Sequence, residues 1–208
     1  MKNHDRRTFL KCAGAAALGA GWPRRSAADG SSADGPQEIR VKVEAPADPI
    51  VSRTLAILKD RVQQRCSATV AEGDDKATII LAVDDHLSPD AFRIDDAGAA
   101  VRVVGGTPRG VLYGVGKFLR TSGYEGTFQP SPWRGTSAPN GSLRGMYFAS
   151  HFHNWYHQAS EAEISRYMED LALWGVNAVK VIFPMINLEG WDDPQSEPAM
   201  AMVRKYAR

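Results

Sequence analysis

Cysteine is nearly absent from this sequence: 208 residues contain two, Cys12 and Cys66. One pairing at most could be drawn, so a disulfide-built scaffold is excluded. Net charge is missing as well. Twenty-five Lys and Arg face 24 Asp and Glu, a formal +1, which gives no basic footprint for nucleic acid. No apolar run approaches the ~20 residues needed to cross a bilayer, so no stable membrane anchor is expected. What remains is an ordinary balance, 43% apolar and 24% charged. That balance excludes a disordered chain, a collagen-like repeat and a coiled coil.

The charge is unevenly spread. Residues 1–28 hold Lys2, Arg6, Arg7, Lys11, Arg24 and Arg25 against Asp5, so the remainder is mildly acidic. Arg6-Arg7-Thr8-Phe9-Leu10-Lys11, then a weakly apolar Ala- and Gly-rich run, then Ser26-Ala27-Ala28, resembles a bacterial twin-arginine signal peptide. The resemblance implies a partner, the twin-arginine export machinery. It also implies cleavage near Ala28 and a periplasmic or extracellular destination. Lys11 directly before Cys12 does not fit a lipid-attachment site. Cleavage would leave Cys66 as a lone thiol, read as a small buried hydrophobe. Residues 29–36 read as a polar linker.

The next 90 or so residues read as a small α/β domain, residues 37–128. Ile39, Val41 and Val43 alternate with charges, which predicts a half-buried strand. Asp48-Pro49 is a helix start, and Val51, Leu55, Leu58 and Val62 carry its apolar stripe to about Arg65. Residues 78–83 form a continuous apolar strand, and strands at 92–94 and 101–104 flank a turn at Asp95-Asp96-Ala97-Gly98. Thr107-Pro108 starts a second helix that Gly123 is expected to stop. The order β-α-β-β-β-α predicts a small sheet with both helices on one face. Gly105-Gly106 before that helix lacks the spacing of a phosphate loop, and Pro108 removes an N–H that would serve one. Residues 129–142 are rich in Pro and Gly and read as a linker.

From Leu143 a second pattern begins. Residues 143–149 read as a strand. Ser160 with Glu163 makes a capping box. Ile164, Tyr167, Met168, Leu171 and Trp174 make a buried helix face, and Gly175 supplies the stop. Residues 177–183 are the next strand, and Ser196-Glu197-Pro198 opens another helix. That is β-α-β-α, the opening of a parallel unit. A full (β/α)8 barrel takes about 250 residues. The fold class expected is therefore α/β: an α+β accessory domain, then the first βα units of a truncated barrel over residues 143–208.

In parallel α/β folds, chemistry sits beyond the carboxyl ends of the strands. Two loops qualify. The first carries His151, His153, Asn154 and Trp155, and the second carries Glu189, Trp191, Asp192 and Asp193. Aromatic faces beside amide, imidazole and carboxylate groups suit sugars. His151, His153, Asn154, Trp155, Glu189, Trp191 and Asp192 are the candidate substrate contacts, for an oligo- or polysaccharide. His151-Phe152-His153 also has the spacing of two metal ligands, although two imidazoles do not define a centre. Neither a metal nor a cofactor is expected. Asp192-Asp193 are sequence neighbours and do not present carboxylates to both sides of one glycosidic bond.

Gly106-Thr107-Pro108-Arg109-Gly110-Val111-Leu112-Tyr113-Gly114, with Phe118-Leu119 beyond it, resembles the end of the small domain that precedes the barrel in family 20 β-N-acetylhexosaminidases and in bacterial α-glucuronidases. Leu143-Arg144-Gly145-Met146-Tyr147-Phe148 is similar to the hexosaminidases' first barrel strand. Leu171-Ala172-Leu173-Trp174-Gly175-Val176-Asn177 is similar to their first helix and its exit. His153 matches the family pattern after strand one, while Ala149 and Phe152 stand where the family has Asp and Arg. The resemblance implies an exported glycoside hydrolase represented by its N-terminal part. It implies no catalytic residue within this chain, because the family's Asp-Glu pair lies near a fourth barrel strand. Two other readings stay open: a metal-dependent hydrolase using His151 and His153, and a non-catalytic carbohydrate-binding module.

Overall fold

The computed structural model describes residues 36–148, 155–181, 189–190, 192–194 and 196–207. The signal-like residues 1–28 and most of the following linker lie outside the described residues. Among the described residues, no helix is long and apolar enough to cross a membrane. The fold is α/β, as the patterning predicts.

The chain opens with β1 (Glu38–Val43), whose Ile39 and Val41 are fully buried while Glu38 stays exposed. Helix α1 (Pro49–Gln63) begins where expected. The Asp48 side chain accepts the Ile50 N–H at 2.7 Å, and Pro49 occupies the first turn, where no N–H is required. Val51, Leu55, Leu58 and Val62 face the core. Strand β2 (Thr69–Glu72) is a short parallel addition beside β1. The sequence pattern does not reveal it, because only Val70 of its four residues is buried. Strands β3 (Ile79–Val83), β4 (Phe92–Ala97) and β5 (Ala100–Gly105) follow. β3 pairs in parallel with β1 and β5, and β4 runs antiparallel to β5 around Gly98-Ala99, so Asp95, Asp96 and Ala97, expected in the turn, are strand residues instead.

Helix α2 (Pro108–Thr121) then packs with α1 over the sheet. Val111, Val115 and Phe118 are fully buried, each contributing about 1.5–3 kcal/mol by leaving water. The helix ends two residues before Gly123. Ser122 is extended (φ −78°, ψ 154°), and Gly123 exchanges backbone hydrogen bonds with Gln129 at 2.9 Å in each direction. Gly123 is thus a bridge residue instead of the expected helix stop.

The segment read as a linker is stitched into the sheet. Gln37 brackets Phe128, accepting its N–H at 2.7 Å and donating to its carbonyl at 3.1 Å. Phe128 is 2% exposed and packs against Phe118 and Tyr124, ring centroids 6.0 and 5.8 Å away. β6 (Gly135–Ser137) pairs antiparallel with β4. The six strands lie in the order β2-β1-β3-β5-β4-β6.

The second pattern gives β7 (Gly145–Phe148), the single-turn α3 (Trp155–Gln158), α4 (Glu161–Leu173), β8 (Ala178–Val181) and α5 (Ser196–Ala207). β7 and β8 are parallel and in register, Gly145 beside Ala178 and Phe148 beside Val181. α4 starts on the expected reciprocal box. The Ser160 side chain accepts the Glu163 N–H, and the Glu163 carboxylate accepts the Ser160 N–H at 2.8 Å. It ends at Gly175 with φ 93°, Val176 N–H reaching Leu171 O and Gly175 N–H reaching Ala172 O. That paired geometry needs a residue tolerant of positive φ. Ile164 and Leu171 are buried as expected. Trp174 is not: it is 70% exposed, and Leu173 is buried in its stead.

Asp34–Arg208 forms one compact unit. α4 lies against α2, and polar contacts tie it to α1. Arg61, 1% exposed, reaches Glu169 at 3.2 Å and Asp170 at 2.9 Å, Arg53 also binds Glu169, and Arg166 binds Asp60 at 2.8 Å.

Candidate functional site

The in-register β7–β8 pair sets the carboxyl ends of two strands side by side. Phe148 and Val181 are paired at the carboxyl ends of their strands, so the chains leaving them start as neighbours. That is the face on which parallel barrels place their chemistry.

Of the expected contacts there, His151, His153, Asn154 and Trp191 lie outside the described residues. Trp155 is described, and half of it is exposed. Its ring meets Tyr167 edge-on at 5.6 Å, and Tyr167 stacks on Phe148 at 5.8 Å. This three-ring ladder seats the indole on α4 and, through Tyr167, against the end of β7, leaving half of it open to solvent. Glu189 and Asp192 are exposed. The Glu189 N–H binds the Asp193 carboxylate at 3.0 Å, and Ser196 N–H binds Asp193 O at 2.8 Å. Asp193 therefore organises the turn into α5, while Glu189 and Asp192 project from it.

The opposite, amino ends of β7 and β8 are locked. Asn177 Oδ1 accepts the Arg144 N–H at 2.9 Å, and Asn177 N–H binds Arg144 O at 3.0 Å. The Arg144 guanidinium donates to Gly175 O at 2.6 Å, to Gly141 O at 2.8 Å and to Asp90 at 2.8 Å, and lies 5.3 Å from the Tyr113 ring centre. Bonding to Asp90 raises its pKa further above its ordinary value, so Arg144 is a fixed cation. These are the Arg and Asn of the two motifs described above. Their work here is to hold the strand pair together and onto the α/β sheet. Asp90, which the sequence reading missed, is the sheet's side of that latch and also pairs with Arg109 at 3.2 Å.

Among the described residues, one group could chelate a cation: Asp84, Asp85 and His86, with ligand atoms all within 4.8 Å of one another. Asp84 is already engaged, accepting the His86 N–H at 3.1 Å and facing Arg93 at 3.5 Å. The group lies in the β3–β4 connection, off the β7–β8 face.

No protein-family model matches the sequence, and no curated protein does. Solved structures do. A chitobiase from Flavobacterium johnsoniae aligns with TM-score 0.59 and 12% identity over 81% of this chain and 30% of its own. A family 115 4-O-methyl-α-glucuronidase with specificity for decorated arabinogalactans aligns with TM-score 0.58 and 16% identity, over 83% and 28%. A family 20 exo-β-N-acetylglucosaminidase from Vibrio harveyi aligns with TM-score 0.54 and 16% identity, over 71% and 22%. The chain spans about a fifth to a third of these proteins' lengths. At such identity the likeness is one of fold alone, shared with parts of these glycoside hydrolases.

Proposed function

We propose that this chain is the N-terminal part of an exported glycoside hydrolase, with residues 37–128 as its accessory α/β domain, 129–142 as the connection and 143–208 as the opening of its (β/α)8 barrel. The observation that carries this reading is the parallel register of β7 and β8, whose carboxyl-terminal residues Phe148 and Val181 are paired. The glycoside hydrolases that share the fold support it. On this reading His151, His153, Asn154 and Trp155 line the sugar subsite, with Glu189, Trp191 and Asp192 on its second wall. Trp155 offers a ring to the apolar face of a pyranose. Residues 1–28 direct export by the twin-arginine route to the periplasm or beyond.

Hydrolysis needs a carboxylic acid on one side of the bond and, on the other, either a second carboxylate ~5–9.5 Å away or an amide of the substrate itself. Glu189 and Asp192 share one loop, so this chain binds sugar without cleaving it. The purified chain, assayed on aryl β-N-acetylglucosaminide, β-glucoside and α-glucuronide, should show no turnover. Chito-oligosaccharide or xylo-oligosaccharide should shift the Trp155 indole resonance, and Trp155→Ala should abolish binding. Turnover lost on Glu189→Gln would sink the inactive-fragment reading. An unmoved Trp155 with every glycan tried would sink the subsite.

A further inference from the structure

A groove of about 370 Å³ lies at the amino ends of β7 and β8, walled by α2, the strand region 133–139 and the α4–β8 turn. It is at the other end of the strand pair from the subsite just proposed, and only the role assigned to it below rests on that reading. Its size falls within the ~300–1,000 Å³ of small-ligand sites.

Its charge is unbalanced. Asp90 is matched by Arg144 and Arg109. Lys117 and Arg120 have no carboxylate partner among the described residues. They stand three apart on α2, neighbours on one helix face, where like charges repel. Each is instead laid over an indole: Lys117 Nζ 5.0 Å from the Trp133 ring centre, and Arg120 4.0 Å from that of Trp174. Arg120 spends one N–H on Leu173 O at 2.7 Å, leaving four donors. Burial against its neighbours lowers its pKa from the ordinary value, and the guanidinium remains a cation at neutral pH. Trp174 is exposed where the helix pattern predicts burial. Two indoles and two cations with unspent N–H donors, all lining one groove, suit a ligand that has both an apolar ring face and an acid.

We propose that this groove binds a carboxylated monosaccharide unit of the hexuronate kind. Lys117 and Arg120 take the carboxylate, and the Trp174 indole takes the ring face. Because it sits at the amino ends of the strands, away from the reactive face of a barrel, its role is retention of an acidic glycan and not chemistry on it.

The test is an NMR titration of the full chain, following indole N–H resonances with methyl β-glucuronide, methyl β-glucoside and inorganic phosphate at equal concentrations. The glucuronide alone should move Trp133 and Trp174. The double variant Lys117→Met/Arg120→Met should weaken that binding at least about tenfold, the scale of lost charge-assisted hydrogen bonds. Arg120→Lys should retain most of it. An unmoved Trp155 resonance in each variant reports an intact fold. The proposal is overturned if neither groove indole moves, if glucoside or phosphate moves them equally, or if the double variant titrates as the parent.

Discussion

The carbonyl oxygen of Leu173 stands so close to Gly116 that a Cβ on that residue would lie 1.9 Å from it. The last turn of α4 thus rests directly on the backbone of α2. The contact is sealed by the neighbouring Arg120, which donates to the same oxygen.

That contact inverts a common rule. Ala normally stabilises a helix interior relative to Gly by up to about 1 kcal/mol. At Gly116 the obstructing atoms are backbone and cannot swing aside. Gly116→Ala should lower stability by about 1–3 kcal/mol, the scale of core overpacking. Denaturant melts of parent and variant measure it, and a more stable variant would show that α4 does not dock as described.

Arg61 is a buried cation held by two acids of α4. Removing both acids strands its charge, whereas removing the charge itself leaves Glu169 still paired with Arg53 and Asp170 half in solvent. Glu169→Gln with Asp170→Asn should therefore cost more stability than Arg61→Met, by about 1–2 kcal/mol after allowing for the half-exposed Asp170. Equal losses would mean that the pair contributes packing alone.

Glu163 gives a pH dependence. Its hydrogen bonds to the Ser160 backbone and side chain hold its pKa below the ordinary carboxylate value. A depressed folded-state pKa adds stability that is present above the unfolded value and fades as pH falls through the folded one. The stability gap between parent and Glu163→Gln should be full at pH 7 and shrink steadily below the ordinary pKa of 4.5. A gap that does not vary with pH would remove the carboxylate from the cap.

Export is tested on the precursor. Changing Arg6 and Arg7 together to lysine should leave uncleaved protein in the cytoplasm, detected by fractionation and immunoblot. Unchanged export of that double variant would end the twin-arginine reading.

The elements whose residues satisfy their own needs were legible in the sequence. Asp48-Pro49, Thr107-Pro108 and the Ser160/Glu163 box each fix a helix start through bonds made within four residues, and all three starts stand in the structure. What escaped depends on partners distant in the chain. β2 is a strand only because β1 offers an edge, and residues 128–137 join the sheet through Gln37 and β4. Trp174 follows the helical repeat yet faces outward, because Gly116 admits the backbone at Leu173 and turns the indole toward Arg120. The candidate sugar contacts rest on loop position and residue type, and of these Trp155 has a structural setting, on Tyr167 and through it Phe148. The Lys117/Arg120 groove gave no signal in the chain, since its walls run from Asp90 to Gly175, residues far apart in sequence.

The seat that α1 and α2 offer to α4 has a consequence for the order of assembly. The sheet and both of its helices precede α4 in the chain, so they leave the ribosome before it does. When α4 emerges, Arg61 and Gly116 already wait for it, so the first crossover of the parallel pair meets a finished landing surface instead of searching for one. The accessory sheet is in this sense a template laid down ahead of the strands it serves. Slowing translation after residue 121 should not harm folding, whereas permuting the gene so that residues 143–208 are made first should lengthen it.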